Sequence, residues 1–217
     1  MTVIAGSVGV HGKFVQQIDD NVERSPVEKA GASNRKFHDD FAFDMKELNS
    51  VLNPAQKELF NAAITINTTF EDHHQVTSEL KFVGSKTETA LLRFAKGLNW
   101  PDYCQTRESA DTVQMIPFSS GRKAMGVVVK VGPDHRRLYV KGASENLTML
   151  CTRHIAVGHE STRDSMDKFG RDGVETAMIT ELEKNIQRTI IFYANQMLRT
   201  IALCYVPSHL GRRDCRS

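Results

Sequence analysis

The stretch from Pro117 to Ala143, PFSSGRKAMGVVVKVGPDHRRLYVKGA, gathers an aromatic ring, several cations and chain-reversing glycines into one run. An aromatic face, ammonium groups and a glycine at one edge suit a planar, polyanionic ligand such as a nucleotide. The ring offers a stacking surface, the cations offset anionic charge, and the glycine lets backbone approach closely. Phe118, Lys123, Lys141 and the Gly142 backbone could supply these groups.

Such an arrangement requires a hairpin. Met125, Val127 and Val129 alternate with Ala124, Gly126 and Val128 in one β-rich run, Leu138 and Val140 anchor a second, and Gly132-Pro133-Asp134 between them is a turn signal. A turn centred near Pro133 places positions whose numbers sum to about 267 opposite one another. Lys141 is then expected across from Gly126, with Lys123, Lys141 and Gly142 sharing one end of the hairpin and Phe118 just beyond it.

A second stretch, Phe82 to Leu92, turns at Gly84 into a helix containing Ala90, Leu91, Phe94, Ala95 and Leu98. Ser85 and Glu88 form the S-x-x-E pattern of a capping box, in which Glu88 bonds the cap backbone. The same carboxylate could instead accept a hydrogen bond from a ligand amine; on local sequence alone the cap is favoured. A third candidate is Arg199 in Leu198-Arg199-Thr200-Ile201-Ala202-Leu203-Cys204-Tyr205, expected to be a buried strand, where a guanidinium needs an anion or carboxylate partner.

Other apparent motifs carry less. Gly6 to Lys13 looks like a P-loop, but five residues separate Gly6 from Gly12 where Walker A has four, and Phe14 stands where Ser or Thr would hold the metal. A turn-rich strand connection explains these glycines. Glu71-Asp72-His73-His74 lacks further ligands at metal-site spacing, and adjacent histidines point apart. The sequons at Asn67 and Asn146 are discounted because glycosylation needs the secretory lumen.

The chain has 217 residues, 40% of them hydrophobic, enough for one large domain or two small ones. With 28 basic against 26 acidic residues there is no general field for nucleic acid. The four cysteines lack CxxC spacing, which fits a reducing, cytosolic setting. No apolar segment approaches the ~20 residues of a membrane helix, and no direct membrane insertion is expected.

Asn53-Pro54-Ala55-Gln56 opens a helix expected to run to about Thr69, with Leu59, Ala62, Ala63 and Ile66 on one face. Gln17 to Asp44 is polar and patternless, and is expected to be a solvated loop or insertion. Ser144 is expected to cap a short helix through Met149 and Leu150. From Val174, apolar residues Met178, Leu182, Ile186, Ile190 and Ala194 repeat every four, predicting a long amphipathic helix. Pro207 to Ser217 reads as a frayed C-terminal tail.

VGSKTETALL, PFSSGRKAMGVVVK, YVKGASE and LRTIALCY follow one another between Val83 and Tyr205. In that order they resemble the nucleotide-binding domain of P-type ATPases, most closely calcium-transporting pumps of the plasma-membrane and vacuolar type. Met1 to Gly6 is similar to the strand that follows the phosphorylation motif DKTGT in such pumps. The resemblance implies an α+β fold: a mostly antiparallel, twisted sheet flanked by helices. It assigns residues 1–206 to a nucleotide-binding domain with a variable loop at about 11–45, followed by a tail at 207–217.

The resemblance further implies that Phe118 stacks on adenine and that Lys123 lines the pocket, with Lys141, Gly142 and Ala143 as its floor. Glu88 would contact the adenine amino edge, which favours a binding role over a cap, and Arg199 would approach the phosphates. The ligand would be ATP, as Mg-ATP in the parent pump, on the cytosolic face of a plasma or vacuolar membrane. The expected partners are the phosphorylation, actuator and transmembrane domains of that pump.

The sequence departs from the family at Ser120, where some calcium pumps carry an arginine, and at Gly121. DKTGT, GDGVND and TGE do not occur in the chain, so it is expected not to turn over alone. Val206 to Ser217 does not resemble the family's continuation, which is expected of a fragment or incomplete product. The alternative is a noncatalytic pump fragment acting as an interaction module. An independent hydrolase lacks a nucleophile or metal constellation.

Overall fold

The computed structural model describes residues 1–9, 12–16, 41–68, 85–133, 135–157, 173–179 and 185–209. They fall into two compact units, one comprising Met1–Thr2, Gln56–Thr152 and Ile179–Ser217, the other Val3–Ala55 and Arg153–Met178. The Glu71-Asp72-His73-His74 stretch, Cys215 and most of the tail lie outside the described residues.

The first unit is built on a four-stranded antiparallel sheet. Its strands are β4 (Asp111–Ser119), β5 (Ala124–Gly132), β6 (His135–Ala143) and β9 (Ile201–His209), in the order β4-β5-β6-β9. The β-branched alternation that predicts the hairpin forms the β5–β6 ladder, and its register is one residue from the expected one. Lys141 faces Met125, and Gly126 faces Val140. An irregularity between Lys130 and Gly132 absorbs the difference. Val127, Val129 and Tyr139 are buried, as are both Ala124 and Met125, as suits an inner strand covered on both faces.

Helices α2 (Pro54–Thr65), α3 (Lys86–Gly97), α4 (Tyr103–Glu108), α5 (Ser144–Leu150) and α6 (Asn185–Asn195) accompany this sheet. The expected face of α2, Leu59, Ala62, Ala63 and Ile66, is buried throughout. The helix stops at Thr65 rather than near Thr69, and Asn67 is fully buried beyond it, its Nδ2 donating to the Met125 carbonyl at 3.4 Å. Phe60, Phe94 and Trp100 form a tilted aromatic cluster with centroids 5.1 to 5.9 Å apart. The fold class is therefore α+β, with mostly antiparallel sheets and flanking helices.

The second unit holds β1 (Ala5–Val8), β2 (Gly12–Val15) and β3 (Phe41–Asp44), with β1 antiparallel and β3 parallel to β2. The P-loop lookalike is thus a strand pair, with left-handed Gly9 (φ 67°) just past β1. Phe41–Asp44, expected within a loop, is a strand instead. The Asp44 side chain accepts from Lys46 N at 2.8 Å and caps the 3-10 turn Met45–Glu47, which leads into α1 (Leu48–Val51). A further pair, β7 (Arg153–Ile155) and β8 (Thr176–Met178), is clamped by Arg153, whose Nε donates to Thr176 Oγ1 at 2.9 Å.

Strand β8 corrects the long helix expected from Val174. Thr176–Met178 is extended, and among the described residues of the expected span the helix covers Asn185–Asn195. An apolar residue every fourth position does not exclude a strand when backbone pairing with a neighbour decides the conformation.

Candidate functional site

Antiparallel order brings the C-terminal ends of β4 and β6 and the N-terminal ends of β5 and β9 to one end of the sheet. Phe118, Lys123, Lys141, Gly142, Ala143 and Arg199 all belong to that end, though they come from three separate stretches of the chain.

Phe118 lies near the end of β4, within the irregularity between Ile116 and Ser119 where the ladder to β5 breaks register. It is 61% exposed, so a large aromatic face is left to solvent. A turn then reverses the chain. Lys123 N donates to the Ser119 carbonyl at 2.7 Å, and Lys123 takes a left-handed backbone (φ 51°) with its side chain exposed. Arg122 folds back to donate from Nη2 to the Pro117 carbonyl at 2.8 Å, bracing the backbone beside Phe118.

This turn is docked on β6. Ala143 N donates to the Lys123 carbonyl at 2.9 Å. A Cβ added at Gly142 would meet Lys123 O most closely of all, and would lie 2.7 Å from Ala124 Cβ and 2.8 Å from Ala124 Cα. Glycine at 142 is thus required by the close approach of backbone to backbone. Ala143 closes β6 and serves as the N-cap of α5. Ser144, expected to cap, is the first helical residue instead; its hydroxyl lies 2.6 Å from Thr200 Oγ1.

Lys141 and Glu88 form the charged centre. Lys141 Nζ donates to Glu88 Oε1 at 3.0 Å, and the side chains are only 6% and 5% exposed. Burial pushes the Lys141 ammonium below the usual lysine range, and the Glu88 carboxylate opposes that shift by charge and hydrogen bond. Glu88 stands in the first turn of α3, where Ser85 is the N-cap but makes no side-chain cap hydrogen bond. The Ser85 half of the capping box is therefore not formed, and the carboxylate is directed at β6.

Arg199 lies between α6 and β9, two residues before Ile201, which pairs with Ala143. It is exposed, and β9 is a half-buried edge strand rather than a buried one. The expected need for a compensating partner therefore does not arise, and the guanidinium is open to solvent. Asn67, expected as a discounted sequon within the helix, is a supporting residue: it is fully buried and tied to Met125, the residue opposite Lys141.

Chemically, this end of the sheet offers an exposed ring, two exposed cations in Lys123 and Arg199, and a buried ammonium held by a carboxylate. Among the described residues no group of three or more His, Cys, Asp or Glu could hold a metal ion. No helix among them is long and apolar enough to cross a membrane.

A statistical profile of the family described as "P-type ATPase, cytoplasmic domain N" matches residues 55–213. The chain is 54% identical over 206 residues to Calcium-transporting ATPase 2 of Cryptococcus neoformans var. grubii, a match covering 94% of this chain and 14% of that protein. It is 33% identical over 212 residues to Calcium-transporting ATPase 2 of Schizosaccharomyces pombe, covering 94% of this chain and 15% of the relative. Calcium-transporting ATPase PAT1 of Dictyostelium discoideum is 32% identical over 158 residues, covering 73% of this chain and 13% of the relative.

Proposed function

Since the chain belongs to the family of P-type ATPase cytoplasmic N domains, we propose that residues 1–206 bind ATP at the sheet end that carries Phe118, Lys123, Lys141 and Arg199. The observation that carries this reading is the exposed Phe118 ring at the same strand ends as the buried Lys141–Glu88 pair. An aromatic of that size is ordinarily covered, and its exposure beside cations suits a stacked, anionic ligand.

Each residue then has a part. Phe118 stacks on adenine, worth ~1 to 3 kcal/mol by analogy with base stacking. Glu88 accepts from the adenine amino edge while still holding Lys141. Lys123 and Arg199 meet phosphate through charge-assisted hydrogen bonds, about twice as strong as neutral ones. Gly142 and Ala143 keep the floor low enough for the ligand to approach backbone.

The reaction served is phosphoryl transfer from ATP to an aspartate on a phosphorylation domain. That step depends on positioning and electrostatics, which a binding domain supplies without a nucleophile of its own. Mg²⁺ bound to the phosphates would neutralise charge developing there. The chain spans only 13% to 15% of the three relatives described. Calcium transport, and partnership with phosphorylation, actuator and transmembrane domains, follow as proposals from the names those relatives bear.

Calorimetric titration with ATP tests the reading. Saturable, stoichiometric binding that weakens in Phe118→Ala supports it; binding unaffected by that substitution refutes the assigned site.

A further inference from the structure

The seam between α5 and β9 carries a chemistry that nucleotide binding does not use. Cys151, directly after α5, and Cys204, on β9, are free and half-buried, with their sulfur atoms 3.5 Å apart. We propose that these cysteines are a modification site that closes to a reversible intramolecular disulfide on exposure to a hydroperoxide.

The geometry favours closure. A disulfide needs a sulfur separation of about 2.0 Å, so the pair must approach by roughly 1.5 Å. Cys204 is fixed in the ladder opposite Val140, whereas Cys151 occupies the C-cap with extended backbone (φ −79°, ψ 134°), outside the helix interior. A side-chain adjustment at Cys151 can supply much of the approach without moving the sheet.

The two thiols are also unequal. The hydrogen bond with Cys204 lowers the Cys151 thiol to about 7, against the opposing effect of burial. The same hydrogen bond pushes the Cys204 thiol up, reinforced by burial and by the Cys151 charge. Cys151 is thus the attacking thiolate and Cys204 the resolving thiol.

The Cys151 thiolate attacks one peroxide oxygen and the O–O bond breaks. Cys151 becomes a sulfenic acid, and the departing hydroxide takes a proton to leave as water (for an organic hydroperoxide, the alcohol leaves). The thiolate charge that raised Cys204 is then gone. Cys204 attacks the sulfenic sulfur, the S–S bond forms, and the expelled hydroxide takes the Cys204 proton to leave as water. Two thiols are oxidised by two electrons, and one peroxide is reduced.

The test is peroxide treatment of the full chain near pH 7, followed by thiol blocking and peptide mapping. The expected product is a peptide linking Cys151 to Cys204 that a dithiol reductant separates. In Cys204→Ser, a dione reagent should trap sulfenic acid at Cys151. In Cys151→Ser, peroxide consumption should fall roughly tenfold or more, since an ordinary thiol is only a few per cent ionised at that pH. Blocking reagent found on both Cys151 and Cys204 after peroxide has oxidised Cys104 or Cys215 would overturn the proposal. So would oxidation of Cys151 to sulfinic acid with no linked peptide. The map of the unsubstituted chain decides the matter even where a serine variant folds poorly.

Discussion

Lys141 is the residue whose structural role and proposed binding role are hardest to separate. Its ammonium holds Glu88 at 3.0 Å in a buried pair, so removing it takes a compensating charge away from an interior carboxylate. Lys141→Met is expected to cost about 3 to 5 kcal/mol of stability, the usual range for breaking a buried pair from one side, measured by urea unfolding. The pH dependence has a definite sign. Because burial lowers the Lys141 pKa in the folded chain, the unfolded chain binds more protons between that lowered value and 10.5, and stability rises with pH across that window. The stability of the chain relative to Lys141→Met should therefore increase as pH is raised toward 10.5; a flat or falling difference would contradict the assignment.

Phe118 presents the opposite case, since its ring is 61% exposed. Phe118→Ala should change folding stability by no more than about 0.5 kcal/mol, while weakening ATP binding roughly 5- to 150-fold, the equivalent of ~1 to 3 kcal/mol of stacking. Parallel urea and ATP titrations check the dissociation of the two effects. Sequence alone suggested Phe118 and Lys141 by residue type. It did not reveal that Lys141 is paired, because Glu88 lies 53 residues away and only the fold joins them.

At the scale of elements, the docking of the 119–123 turn on β6 explains why the end of the hairpin is shaped as it is. Gly142→Ala would drive a methyl group into the Lys123 carbonyl and Ala124. The expected loss is about 1 to 3 kcal/mol, as for overpacking elsewhere, accompanied by weaker ATP binding as the turn is displaced. Thermal unfolding and ligand titration of that variant test both parts.

The hairpin itself was legible because Met125, Val127 and Val129 alternate cleanly and Gly132-Pro133 marks the reversal. Strand β4 was not, since Asp111–Gln114 are all exposed and Pro117 interrupts the run, leaving an edge strand with no inward pattern to detect. The one-residue register error has a cause equally invisible in sequence, the irregularity beside Gly132. The four-residue repeat after Val174 misled at its start, where Thr176–Met178 is held by pairing with β7, a tertiary fact, whereas Asn185–Asn195 is helical.

For the whole molecule, family membership and α+β architecture agree with the motif order between Val83 and Tyr205. In the proposed function the chain is a domain that presents ATP to chemistry conducted elsewhere. The chain alone should accordingly release negligible phosphate from ATP, as followed by a phosphate assay over hours, with or without magnesium. The most direct test of the central claim is a titration of the isotopically labelled chain with ATP, followed by backbone amide shifts. Saturable shifts concentrated at Phe118 to Lys123, Lys141 to Ala143 and the start of α3 are expected. No perturbation there at millimolar ATP, or shifts confined to β1–β3 and β7–β8, would contradict it.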